Sequence, residues 1–361
     1  MESKFSLTLG KLFGIRISLH WTFSFLILWV IILSVNRGLE FHQILIYILF
    51  VLTLFLCIVL HELGHSLAAI KLGGKVKSIT LLPIGGMANI SEMPEKPRDE
   101  FLVSAAGPLV NIIIAGFLWL YLTVLSSIDL RKMEYDVITA NNFLVVLMAA
   151  NLFIVAFNLI PAFPLDGGRL FRSALSVRMN RLKATQIAKN IGQIFAIGFI
   201  LAGFFINPFL IVIGIFIFLG AKGEYELLKY QKILDNYTVR DIVKTDYEKL
   251  DENESFGKAA ERLLHISING FVITSGGEYK GILTKKDIIE GLASRGKEGK
   301  IKEFIKENAE KVSPDMSLFD VFKKMQINRY DIISVSENDK FIGILDSESI
   351  NEFVMIQNAI R

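Results

Sequence analysis

His61, Glu62 and His65 stand in the stretch CIVLHELGHSLAAI, Cys57 to Ile70, where most other residues are apolar. On a helix, positions i and i+4 share a face, so both imidazoles can aim at one metal ion. Glu62 adjoins the first of them and can reach a water on that ion. This is the HExxH arrangement of zinc hydrolases, in which the metal acidifies a water and the carboxylate takes its proton. With five histidines in the chain, a chance match is expected at about a few in a thousand. Ionisable groups at bilayer depth are costly, and a hydrolytic centre gives them a reason to be there.

A catalytic zinc takes three protein ligands and keeps one position open. Asp166, in FNLIPAFPLDGGRLF, is the candidate third ligand. Pro161 and Pro164 break a helix before it, and Gly167 and Gly168 relax the backbone after it. Broken backbone in a membrane is tolerated where it lines a cavity. The plainer reading of Asp166 is a cap on the next helix. Asn111, Asn151 and Asn158 are amides in or near apolar runs that can support an oxyanion or orient substrate. Asn158 is favoured because it lies nearest Asp166, and helix–helix hydrogen bonding is the alternative for all three. His20 reads as an interfacial residue. Cys57 reads as a small apolar helix residue rather than a catalytic thiol.

These groups need a membrane scaffold to hold them. The chain has 361 residues and is 52% hydrophobic, and its apolar residues concentrate in 17–222. Six apolar runs, at 17–35, 43–71, 101–126, 142–165, 190–205 and 208–222, predict about six transmembrane helices. With a cytoplasmic N-terminus, the inner loops carry fourteen Lys and Arg and the outer loops three (Arg37, Arg131 and Lys132). That bias predicts a multi-pass protein of the cell membrane with both termini cytoplasmic. His61 then lies about 15–18 Å along its helix from the inner end, at 1.5 Å per residue. The first run follows Arg16 and lacks a small-x-small cleavage site, so it reads as a retained helix. The stretch from Lys75 to Met93, KVKSITLLPIGGMANISEM, is apolar but too short to span. Its alternation and Pro83, Gly85 and Gly86 predict a re-entrant β-hairpin whose free edge holds substrate in extended form.

HELGH on one membrane helix and NLIPAFPLDGG on a later one, with PIGGMA and SAAGPLVN between, resemble the site-2 protease family of intramembrane zinc metalloproteases. The resemblance covers residues 1–222. It implies that His61, His65 and Asp166 bind one Zn2+, that Glu62 is the catalytic base, and that the substrate is a transmembrane protein.

Residues 239–294 and 301–356 repeat with a gapless offset of 62: VRDIVK matches IKEFIK, and YKGILTKKDIIEGL matches FIGILDSESINEFV. Such a unit buries its faces against its copy. The repeat resembles a tandem cystathionine-β-synthase-type (CBS) pair, an adenine-nucleotide sensor in many proteins. The resemblance implies ATP or AMP as ligand, with Thr284 and Asp287 as nucleotide-binding residues. The matching Asp346 and Ser349 place a carboxylate where a phosphate would be repelled. The bland alternative is a dimerisation module that forms a homo-oligomer. The expected domains are therefore 1–222 for the zinc unit, 223–238 for a charged connector helix, and 239–298 and 299–361 for the two CBS motifs.

The fold class expected is a polytopic α-helical membrane protein with a short re-entrant β-hairpin, joined to a cytoplasmic α/β pair. A net charge of +3 without a basic aromatic patch excludes nucleic acid as a partner. One cysteine excludes an intrachain disulfide. Two rivals stand beside the intramembrane endopeptidase. One is a CBS-regulated transporter or channel with a structural or transported metal, though the polar groups show no repeated halves. The other is a zinc peptidase of soluble or lipid-modified peptides.

Overall fold

The first apolar residues do not enter a helix. In the computed structural model, β1 (Ser6–Leu12) and β2 (Ile15–His20) form an antiparallel hairpin. Phe13 and Gly14 turn it with φ of 51° and 81°. The first apolar run therefore begins as strand, and α1 covers Phe23–Asn36. In β2 apolar Ile15, Ile17 and Leu19 alternate with polar Arg16, Ser18 and His20, the two-residue period of a strand, and Ile15 and Ser18 are the residues it buries. The residues described are 6–83, 85–92, 96–125, 137–266, 268–305 and 310–360. Arg131 and Lys132 of the expected outer loop, and Met93 at the end of the expected hairpin, lie outside them.

The chain divides into two compact units, Glu2–Glu226 and Leu227–Arg361. In the first, α2 (Phe41–Lys71) is followed by β3 (Lys75–Leu82) and β4 (Gly85–Glu92), then α3 (Pro97–Leu120), α4 (Phe143–Asn158), α5 (Asp166–Ser176), α6 (Arg181–Phe205) and most of α7 (Phe209–Leu234), whose residues from Leu227 on belong to the second. Among the described residues, three helices are long and apolar enough to cross a membrane: Phe41–Lys71, Pro97–Val124 and Arg181–Phe205. Phe23–Asn36 and Phe143–Asn158 are shorter apolar helices. The last two apolar runs belong to helices longer than the runs themselves. Charged residues such as Lys183 and Lys189 end a hydrophobic stretch without ending a helix. For the same reason residues 223–234 of the expected connector continue α7.

The expected hairpin forms, but as half of a sheet. The strand order is β1-β2-β3-β4, with β2 parallel to β3 and β3 antiparallel to β4. The N-terminal hairpin thus covers β3, and β4 is left as the edge near the site.

In the second unit each repeat builds one three-stranded sheet. The first holds β5 (Lys249–Asp251), β6 (Gly270–Ser275) and β7 (Glu278–Thr284), with α8 (Phe256–His265) and α9 (Lys285–Arg295). The second holds β8 (Lys311–Val312), β9 (Ile332–Glu337) and β10 (Lys340–Asp346), with α10 (Leu318–Asn328) and α11 (Ser347–Ile360). Gly276-Gly277 turns the first hairpin and Asn338-Asp339 the second, all at positive φ as tight hairpins require. Tyr279 and Phe341, equivalent by the 62-residue offset, stack with ring centroids 4.0 Å apart. Val272, Ile332 and Ile344 are buried with them in the cluster where the two sheets meet.

Candidate metal centre

His61 and His65 lie on the buried face of α2, one and two turns after Cys57. Asp166 is the first residue of α5, released from α4 by the Pro161–Leu165 loop. The three meet closely. Asp166 Oδ2 is 3.2 Å from His61 Nε2 and 3.1 Å from His65 Nε2, and the two Nε2 atoms are 3.1 Å apart.

The opposite ring nitrogens fix the tautomers. Asn151 Nδ2 donates to the Leu147 carbonyl at 2.8 Å, so its Oδ1 must accept from Asn111 Nδ2, at 2.7 Å. Asn111 Oδ1 then faces His61 Nδ1 at 2.6 Å, and the imidazole donates. His65 Nδ1 donates to the Val103 carbonyl at 2.7 Å. Both Nε2 lone pairs are left pointing at the Asp166 carboxylate. Three electron-rich atoms facing one another repel unless a cation sits among them. Their spacing also suits zinc, because ligands about 2.0–2.1 Å from a tetrahedral ion lie about 3.3 Å from each other. Gly107 on α3 keeps the space open: a Cβ there would lie 2.2 Å from His65 Nε2 and 2.7 Å from His61 Nε2. The residues present therefore fit the ion.

Glu62 is half-buried and has no hydrogen-bond partner among the described residues. Gly86 of β4 is pressed against it, and a Cβ there would lie 2.5 Å from Glu62 Cγ. Gly85 opens β4 with a φ of 136°, in the range reserved for glycine. Asn158, at the end of α4, is half-buried with its amide uncommitted among the described residues.

Asn111, expected to support substrate or the oxyanion, is fully buried with both side-chain ends engaged by His61 and Asn151, so in this structure it fixes the His61 ring. Cys57 is buried, its sulfur 3.6 Å from Asn151 Nδ2. His20 lies apart and accepts from the Thr22 hydroxyl at 2.7 Å. Sequence reading missed the part played by α3. Val103, Gly107 and Asn111 recur every four residues, which puts a carbonyl, a gap and an amide on one face. That spacing, inside the quoted SAAGPLVN and its flank, was the available signal.

In the second unit, Thr284 caps α9. Its hydroxyl donates to Asp287 Oδ2 at 2.6 Å and accepts from the Asp287 amide at 3.2 Å. In the second repeat the roles are exchanged: Asp346 caps α11, accepting from the Ser349 amide and hydroxyl at 2.7 and 2.6 Å. Lys244 pairs with Asp346 Oδ2 at 3.0 Å, so the carboxylate expected to repel phosphate is partly neutralised.

A membrane-spanning unit holding two imidazoles and a carboxylate around one point, with a second carboxylate nearby, has the make-up of a membrane metallohydrolase. A model of Peptidase family M50 matches residues 49–202, and a CBS domain model matches 239–294 and 301–355. The zinc metalloprotease MJ0392 of Methanocaldococcus jannaschii is 33% identical over 347 residues, 96% of this chain and 95% of that protein. Stage IV sporulation protein FB of Bacillus subtilis is 33% identical over 137 residues, 38% of this chain and 43% of that one. The solved site-2 protease from M. jannaschii is 38% identical and covers 61% of this chain and 95% of its own, at a TM-score of 0.45. The chain belongs to Peptidase family M50, the site-2 protease family of zinc metalloproteases, and carries a tandem CBS pair.

Proposed function

We propose that this protein is an intramembrane endopeptidase that cuts a peptide bond within or near a transmembrane segment of a membrane-protein substrate. The observation that carries the reading is the meeting of His61, His65 and Asp166 at 3.1–3.2 Å. These three hold one Zn2+, which when bound supplies Lewis acidity toward a water and the scissile carbonyl. Glu62 takes the proton of that water and passes it to the leaving amine. Asn158 offers its amide to the developing oxyanion. The exposed edge of β4 receives the substrate as an added strand, which straightens a helical segment and bares its peptide bonds. Gly86 lets that strand lie against Glu62.

The apolar helices and loop charges support six spans, a re-entrant β3–β4 hairpin, and both termini in the cytoplasm. The CBS pair binds an adenine nucleotide at Thr284 and Asp287 and regulates cleavage, and it is the surface through which a homo-oligomer forms. The rival transporter reading has no observation in its favour.

The test is Glu62→Gln in the full-length protein. One zinc per chain should remain while cleavage of a single-span substrate stops. Cleavage at the wild-type rate refutes the reading. Addition of ATP or AMP should raise the melting temperature, and no shift at millimolar nucleotide reduces the pair to a structural role.

A further inference from the structure

Asp166 has to reach its place from an awkward stretch of chain. The loop before it contains Pro161 and Pro164, which have no amide to donate. Its backbone bonds are few: Ala162 N to Ile160 O at 2.7 Å, Leu165 N to Ala162 O at 3.0 Å and Gly168 N to Leu165 O at 3.1 Å. Close packing replaces them. Gly168 of α5 lies flush against the Ala162–Phe163 backbone, Gly192 of α6 against Ala162, and Gly220 of α7 against Pro164. Such contacts stop the loop from collapsing inward, but they do not set its direction.

One buried charge does. Arg172, on α5 less than two turns after Asp166, is 3% exposed. Its Nε donates to Glu100 Oε1 on α3 at 2.8 Å, its Nη2 donates to the same oxygen, and its Nη1 donates to Glu224 Oε1 on α7 at 2.8 Å. Arg181 of α6 approaches the other oxygen of Glu100 at 3.7 Å, so the cluster is neutral overall. The flat face of the same guanidinium covers the ring of Phe163, 4.9 Å from its centroid. Phe163 is fully buried and lies three residues before Asp166. Burying this cluster is expensive, and apolar residues of like volume would hold the helices together as well or better. Geometry, rather than stability, is what an arginine adds here: a planar fork and a stacking face at fixed angles.

Glu100 belongs to the α3 stripe that continues through Val103, Gly107 and Asn111. A single helix face therefore orients His65 through a carbonyl and His61 through an amide. It reaches Asp166 through the Glu100–Arg172–Phe163 stack.

We propose that Arg172 is the positioning residue for Asp166, holding the Pro161–Leu165 loop in register with the two imidazoles. This rests on the zinc reading above. The test uses full-length protein in detergent micelles with three readouts: zinc affinity by chelator competition, the absorption spectrum of the cobalt-substituted protein, and the melting temperature of the metal-free protein. Arg172→Lys keeps the cluster neutral but removes the fork and the flat face. Phe163→Leu keeps every charge and removes only the ring. Each should raise the zinc dissociation constant at least tenfold and alter the cobalt bands, a loss beyond what the few degrees of metal-free melting temperature expected from repacking a buried residue account for. Wild-type zinc affinity in either variant overturns the proposal. So does a loss of affinity that only follows a fall in melting temperature. If the wild-type protein itself binds no zinc, the zinc reading fails instead, and the two failures are told apart.

Discussion

Replacing Gly107 by alanine sets a local gain against a loss at the site. In a helix interior alanine is favoured over glycine by about 0.5–1 kcal/mol, so α3 itself should become more stable. The new Cβ, however, would stand 2.2 Å from His65 Nε2, 2.5 Å from His65 Cε1 and 2.7 Å from His61 Nε2. Ordinary contact needs about 3.4 Å, so both rings must retreat by about 1 Å, five times the roughly 0.2 Å within which ligand distances hold in metal sites. Neither ring can simply rotate, because His61 Nδ1 and His65 Nδ1 are tied to Asn111 and Val103. Loss of one outer partner of a metal-bound histidine costs about 10–100-fold in affinity, and displacing two ligands should cost at least about 100-fold, or about 2.7 kcal/mol. Chelator competition on the full-length variant measures this, with circular dichroism to follow helix content. Gly107→Ala with wild-type zinc affinity would refute the assignment of the centre to this point between α2 and α3.

Asn111→Leu should weaken zinc about 10–100-fold by freeing the His61 ring, with Asn151 left short of a donor; chelator competition reads it. Gly86→Ala should leave zinc in place and lower the cleavage rate by about 100-fold, because Glu62 of α2 is pushed away from β4; metal stoichiometry and single-turnover cleavage separate the two effects. For Asp346, burial favours the neutral acid, but the Ser349 hydroxyl and amide together with Lys244 outweigh it and hold the carboxyl below its ordinary value. A carboxyl lowered on folding stabilises above its unfolded pKa, about 3.9, and that stability is lost as pH falls through the folded value. Asp346→Asn keeps the cap and should destabilise the protein by about 1 kcal/mol at neutral pH. The difference should shrink below pH 4 in denaturant titrations.

The candidate ligand set was legible because chemistry restricts it, and the structure brings its three members together. Few residue types bind zinc, the i and i+4 spacing admits one geometry, and an Asp beside two prolines and two glycines inside an apolar run has few other uses. The repeat was legible because an offset of 62 aligns every strand, and Tyr279 on Phe341 shows the symmetry it implies. Helix ends were less so. A hydropathy run records where lipid would sit, and a backbone ladder carries on through Lys183 or Glu224 regardless. The N-terminal strands escaped notice because β2 is short and runs into α1 after two residues, so its alternating Ile15, Ile17 and Leu19 read as the start of the apolar helix.

The positioning groups were hidden for another reason. α3 supplies no candidate ligand, yet its buried stripe of Glu100, Val103, Gly107 and Asn111 meets both imidazoles directly and the Asp166 loop through Arg172. Two of those four act through features that residue type does not advertise: a main-chain carbonyl at Val103 and a missing side chain at Gly107. A carbonyl is present at every position, and glycine has many uses in a membrane helix. Only coordinates can say which carbonyl faces His65 and which gap faces the metal. Asn111 stands among the candidate amides and Glu100 is polar, but their partners His61 and Arg172 lie 50 and 72 residues away, so sequence does not pair them. The type of a catalytic group is local information, whereas its orientation comes from contacts across the fold. In this protein α3 gathers those contacts on one face.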